Sequence, residues 1–251
     1  PQHDRDGDGI PEWDHPIQTG FDDHPIYAHW HTWSQGWDIS TVESLDLCAY
    51  LYSEIQTLLL IAPLVDQQES VAGLTSLAEG LKAAVDASWD ESASTYRNWD
   101  RESHHSPQAA IIAERQGPGI LPINSPFTQP IRPLICLHSK DETTRPAQGF
   151  IHGTGPSGGH RVERISAERF RWHLGTGRYT SERIYSHIEH IEILGILDSD
   201  QVTIETPNLN CGVLTTLLLL LDGNPTPHAE PKHIKETVTN PHHLTFTHWL
   251  R

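Results

Sequence analysis

Between Leu45 and Ala62 the apolar residues recur at intervals of three and four, and this periodicity constrains the chain more than any other feature of it. Leu45, Leu47, Cys48, Leu51, Ile55, Leu58 and Leu59 fall at helical spacing, and Pro63 ends the run. Ser40-Thr-Val-Glu43 has the spacing of a capping box, in which each side chain satisfies a free amide of the other, so the helix is predicted to start at Ser40. A second start signal, Asp66-Gln-Gln-Glu69, precedes Val71, Leu74, Leu77, Leu81, Ala84 and Val85, and this stretch runs into Trp89-Asp90-Glu91. Two such helices joined by a short turn predict an antiparallel hairpin.

The flanking sequence has a different texture. Residues 1–40 are rich in Asp, Gly, Pro, His and Trp without sustained period, and read as loop. From about Ile120, short apolar stretches at 131–137, 149–152 and 202–205 alternate with turn signals, as strands of an antiparallel, sandwich-like unit would. Within it, Ser181 to Leu194 reads two ways: Ile184, Ile188 and Ile191 suit a helix, the favoured reading, while Ile188-Glu-His-Ile191-Glu-Ile193 alternates as a strand does. Asn224-Pro-Thr-Pro227 predicts another helix start, with Thr226 as cap and Pro227 at the first turn. The expected organisation is a loop and helical hairpin over 1–118, a β-rich insert over 119–212, and a return to helix over 213–251.

Lys and Arg number 17 against 33 Asp and Glu, a formal net charge of −16. Such a surface repels phosphate backbones and anionic headgroups, which argues against nucleic acid and membrane as partners. Three scattered cysteines define no disulfide framework. The apolar run Val213 to Leu221 is too short to cross a bilayer. The chain opens on Pro1 and contains no Met, and it is expected to be a segment of something longer.

Three groups of residues suggest chemistry. Asp4, Asp6, Asp8, Glu12 and Asp14, with Gly9 and the carbonyl of Ile10, alternate as hard oxygen ligands do around calcium, although His15 stands where an EF-hand has its bidentate Glu. A bound cation would also relieve the repulsion among five carboxylates. The second group is Gln18-Thr-Gly20-Phe-Asp22-Asp23-His24-Pro25, followed by Trp30, Trp33, Trp37 and Asp38. Adjacent carboxylates beside aromatic faces suit sugar cleavage, because an apolar setting raises a carboxyl pKa until it can act as an acid. The third is histidine, of which there are 18. His29-x-His31 suits contacts to sugar hydroxyls, whereas His104-His105, His187-x-x-His190 and His242-His243 read as ordinary surface or core residues.

Gly20-Phe-Asp22-Asp23-His24-Pro25, Trp37-Asp-Ile-Ser40, Leu45-Asp-Leu47 with Glu54, and Ser88-Trp89-Asp90-Glu91 with Tyr96 and Asp100 together resemble the motif region of the six-hairpin (α/α) glycosidases, the processing α-glucosidases and trehalases. The resemblance covers residues 12–102 and, more loosely, 222–249. It implies a mainly α fold, part of a six-hairpin barrel with an inserted antiparallel β region. It also implies an inverting glycoside hydrolase acting on α-linked glucosides, with Asp22 as general acid and the base beyond Arg251. Asp23 and His24 depart from the family's Asn and Ser. Asp23, His24, Trp30, Trp33, Trp37 and Asp38 would then contact a carbohydrate substrate, the 4–14 loop would hold calcium, and no organic cofactor is needed. Two rivals are a non-catalytic carbohydrate-binding protein and a calcium-dependent structural or adhesion module.

Two further features point away from function. Gly153-Thr-Gly155-Pro-Ser-Gly158-Gly159 lacks the Lys of a phosphate loop and reads as a turn. Arg161, Arg164, Arg169 and Arg171 are expected to pair with Glu163, Glu168 and Glu182.

Overall fold

The computed structural model describes residues 3–20, 26–28, 36–92, 95–206 and 208–209, and these divide into two units. The first gathers 3–20 with 39–106. Its elements are β1 (Val42–Glu43), α1 (Leu45–Ile61), α2 (Leu74–Ala87), β2 (Trp89–Asp90), β3 (Thr95–Tyr96) and β4 (Trp99–Asp100). The predicted helical hairpin is present. Leu45, Cys48 and Ile55 of α1 pack with Ala78, Leu81, Ala84 and Val85 of α2, and Tyr96 closes the cluster.

The start of α1 lies five residues beyond the capping-box prediction. Ser40 and Thr41 occupy a 3-10 turn, and Val42 and Glu43 pair antiparallel with Asp100 and Trp99. The ladder commits the backbone that a cap would have used. The first helical amide is instead satisfied from elsewhere in the unit, since Leu45 N donates to Asn98 Oδ1 at 3.3 Å. The far end of α1 and the turn after it leave Leu58, Leu60, Ile61, Leu64 and Val65 exposed. Leu45–Val65 is long and apolar enough, by length and composition, to cross a membrane.

The second unit gathers 26–28, 36–38 and 107–209. It holds β5 (Ala110–Gln116), β6 (Gly119–Ile131), β7 (Leu134–His138), β8 (Gln148–Thr154), β9 (His160–Ile165), β10 (Arg171–His173), β11 (Thr176–Thr180), β12 (Tyr185–Leu194) and β13 (Gln201–Thr206). Two antiparallel sheets form, in the orders β10-β11-β7-β13-β5 and β6-β12-β8-β9. Ile135, Leu137, Tyr179, Val202 and Ile204 of one meet Leu121, Ile151, Ile165, Ile188, Ile191 and Ile193 of the other in one core. Pro122, Pro126 and Pro130 sit in β6, an edge strand, where a missing amide breaks no central ladder. Gly149 and Gly153 let β8 lie close against β12: a Cβ at Gly149 would stand 1.7 Å from the Glu192 carbonyl oxygen.

The helix predicted over Ser181 to Leu194 is a strand, and the reason is specific. The pairing of β12 with β6 shifts register between Tyr185 and His187 and again between Ile188 and His190, and against β8 one residue of β12 is extra between Ile188 and His190. Buried positions then fall at Tyr185, Ile188 and Ile191, a spacing of three that imitates a helix.

These sheets overturn the mainly α fold. Among the described residues there are two α-helices, one hairpin, against four antiparallel sheets. A six-hairpin barrel is helical throughout, so the chain is not part of one, and its assignment to the six-hairpin glycosidases is withdrawn. The hairpin was read correctly; its extension into a ring was not.

Two cysteines fall within the described residues, one in each unit. Burial pushes the thiol of Cys48 well above its ordinary range, and that of Cys136 up to about 12.

Candidate functional site

The acidic loop at the start of the chain does converge on something, but not with the ligand set its spacing suggests. Asp4 is occupied as an acceptor for its own loop, taking Gly7 N at 2.8 Å and Gly9 N at 3.2 Å. Gly7 and Gly9 have φ of 82° and 95°, the left-handed backbone that lets the loop fold round that carboxylate. Glu12 is buried and takes both the backbone amide and the guanidinium of Arg5, each at 3.2 Å. Asp14 is held by Arg5 and by His3, whose Nδ1 lies 2.9 Å away. The amide of Ile10 donates to Asp8 Oδ1 at 2.7 Å.

Asp6 and Asp8 remain, and they meet two residues from the hairpin region. Asp6, Asp8, Glu43 and His104 each offer one ligand atom, and these atoms all lie within 4.8 Å of one another. His104 Nε2 is 3.0 Å from Asp8 Oδ2 and 3.3 Å from Glu43 Oε1. The four arrive by different routes. Asp6 and Asp8 ride on the Gly-turned loop, Glu43 on β1, and His104 on the turn that follows β4. That turn is folded on Asp100, which accepts Glu102 N and Ser103 N and receives His104 N on its carbonyl. His104 itself has φ +46°, a left-handed conformation uncommon for a residue with a side chain.

Glu43 is the anomaly of the site. It has no solvent exposure, and neither of its carboxylate oxygens has a hydrogen-bond partner among the described residues. Burial pushes its pKa up to about 10, and Asp8, Asp6, Glu12 and Asp100 push in the same direction. The carboxyl of Asp6 is raised too, first by burial and then by Asp8. An ionised carboxylate held this way is strongly disfavoured unless a positive charge faces it. The group is either protonated or paired with a cation.

The carbohydrate candidates fare differently. Asp22, Asp23, His24, Trp30 and Trp33 lie outside the described residues. Trp37 is completely buried, so it is core and not an open wall for a sugar ring. Asp38 donates its backbone amide to Thr180 Oγ1 at 3.0 Å, and its carboxylate lies 3.5 Å from Arg171. No Trp-rich site is built by the described residues.

No family model matches the chain, and neither does any curated protein. The glycosidase expectation drawn from the barrel falls with the barrel. Nothing in the geometry speaks for calcium in particular, because the four converging groups include an imidazole, whereas calcium takes oxygen ligands.

Sequence reasoning found Asp6 and Asp8 and missed the other two. Glu43 looked like a helix-capping residue, and His104 like half of an ordinary surface pair.

Proposed function

We propose that the first unit is a cation-dependent structural module, in which Asp6, Asp8, Glu43 and His104 take one divalent transition ion of the manganese or zinc kind. The observation that carries this reading is Glu43: a fully buried carboxylate without a hydrogen bond, directed at three other ligand groups. Mixed carboxylate and imidazole donors suit manganese and zinc better than calcium. The ion would join three separate pieces of chain, the N-terminal loop, β1 and the turn after β4, so binding would add directly to the stability of the folded state.

The test is thermal unfolding of the chelator-treated chain, with manganese, zinc or calcium then added back. A ligand present at a hundred times its dissociation constant stabilises by about 2.7 kcal/mol, a shift of several degrees. Manganese or zinc should produce that shift, and Glu43→Gln should abolish it. A response to calcium alone would overturn the choice of ion. If no ion moves the transition, or if Glu43→Gln responds like the parent, the four residues form only a histidine set among carboxylates.

A further inference from the structure

The four groups that converge in the first unit are not equally sheltered. Glu43 has no solvent exposure, whereas Asp6, Asp8 and His104 all lie at the surface. The His104 side chain keeps 45% of its exposure. An ion drawn among them would have Glu43 on its inner side and three exposed residues around its rim. A purely structural site closes protein round its ion, while a site with an open side leaves places for exchangeable ligands.

The donor set gives the number of such places. Each of the four residues offers one ligand atom. Asp8 is held to one, because its Oδ1 accepts the Ile10 amide at 2.7 Å and its Oδ2 is the oxygen 3.0 Å from His104 Nε2. Three of the four donors are carboxylate oxygens, which suit manganese better than zinc, and manganese takes an octahedron of ligands. Four protein donors leave about two of its positions to be filled from the exposed side. A tetrahedral zinc ion would be filled by the same four groups and keep none.

Charge then selects what can enter. Asp6, Asp8 and Glu43 together outweigh a divalent ion, with His104 neutral. Glu12 and Asp100 also push the Glu43 carboxyl upward, so the field round the ion stays negative. The guanidinium groups nearby do not offset it: Arg5 is held by Glu12 and Asp14, and Arg101 lies beside Glu12 and Glu102. An anionic ligand would be repelled, while a neutral oxygen donor brings a dipole and no charge.

We propose that Asp6, Asp8, Glu43 and His104 hold a six-coordinate ion whose outer positions carry exchangeable water, and that the ligands able to replace this water are neutral oxygen donors, hydroxyl or carbonyl. This rests on the cation reading above and goes beyond it, since a staple needs no open position. The inner side of the ion joins the N-terminal loop, β1 and the turn after β4; the outer side binds.

Manganese itself is the probe, titrated into the chelator-treated full chain. Loss of the free-ion paramagnetic resonance signal measures bound manganese, and the relaxation rate of water protons reports whether water still reaches it. Bound manganese is expected to raise that rate several-fold over the same amount of free ion, because the ion tumbles slowly while water exchanges on it. Replacing sodium chloride with sodium acetate at equal ionic strength should leave the rate unchanged. Glu43→Gln, with unchanged near-ultraviolet dichroism, should leave the manganese free. If the parent never depletes the resonance signal, the manganese reading fails and this proposal falls with it. If the signal is lost and the water rate does not rise, the cation reading stands and the open positions are overturned. An enhancement that persists in Glu43→Gln comes from adventitious ions on surface carboxylates and overturns the proposal as well. One that acetate abolishes overturns the neutral class of ligand.

Discussion

Each unit buries one glutamate on a strand, and the two are treated in opposite ways. Glu163, on β9, accepts from Tyr179 Oη at 2.7 Å, Ser181 Oγ at 2.8 Å, Glu182 N at 2.9 Å and Tyr185 Oη at 3.0 Å. Glu43, on β1, accepts from none. Both are nearly or fully removed from water, at 5% and 0% exposure. A carboxylate with four donors is part of the scaffold: it ties β9 to β11, to β12 and to the turn between them. Glu43 makes no hydrogen bond to the described residues and has only the His104 ring, 3.3 Å from one oxygen, beside it. Burial alone therefore does not mark a functional acid; the count of donors around it separates the two cases.

That contrast is open to direct attack. The largest effect should come from Glu163→Ala, which strands two buried phenols; a loss of about 3–5 kcal/mol is expected in urea unfolding of the second unit. A loss below about 1 kcal/mol would mean that the four donors find other partners. Glu43→Gln should have the reverse sign in chelator, neutral or stabilising by about 1 kcal/mol, because a neutral amide replaces a group that resists ionisation. A destabilisation comparable to that of Glu163→Ala would erase the distinction.

Acidity should separate the units more gently. In the first, burial holds the carboxyl of Asp46 above the ordinary range, against hydrogen bonds from Ser44, Trp13 and Leu47. A folded pKa above the unfolded one means that the folded state binds more protons. Stability of that unit therefore falls as pH rises from the ordinary carboxylate pKa near 4 toward the raised value. In the second, Arg145 donates to Asp200 at 2.6 and 3.1 Å and to Asp141 at 2.6 Å, holding Asp200 low and Asp141 at about 2. That contribution is complete above pH 4 and is lost only as the pH drops through those depressed values. Moving the metal-free chain from pH 7 to about 5 should strengthen the first unit and leave the second unchanged. Hydrogen exchange read separately on α1 and on β12 would show it, and a parallel response of the two would refute it.

How much of this could be read in advance follows from how local each signal is. The helical hairpin was legible because Leu45 through Val85 repeat at one period in one stretch. The paired acids Asp6 and Asp8 were legible because their spacing and the glycines around them are adjacent. Glu43 was misread for the same reason: Ser40 and Glu43 satisfy a local rule, while the ladder to Trp99 and Asp100 that overrides it is distant in sequence. β12 was misread because its register breaks, which only its neighbouring strands reveal, leave buried residues at Tyr185, Ile188 and Ile191, three apart as in a helix. His104 carries no local signal, and only the fold brings it to Asp8. The barrel failed on a different ground, since one hairpin is compatible with many architectures and its motifs say nothing of how many hairpins follow.

The two thiols described above make the units separately countable. Cys48 is buried in the first unit, and Cys136, partly buried, belongs to the second. With both thiols held far from ionisation at neutral pH, alkylation requires the surrounding structure to open first. The rate at which each cysteine takes up a thiol reagent, followed by mass spectrometry of its peptide, thus becomes a clock for the opening of its own half of the molecule. A cation that slows the clock at Cys48 while leaving the one at Cys136 running would locate its action without any further mutation.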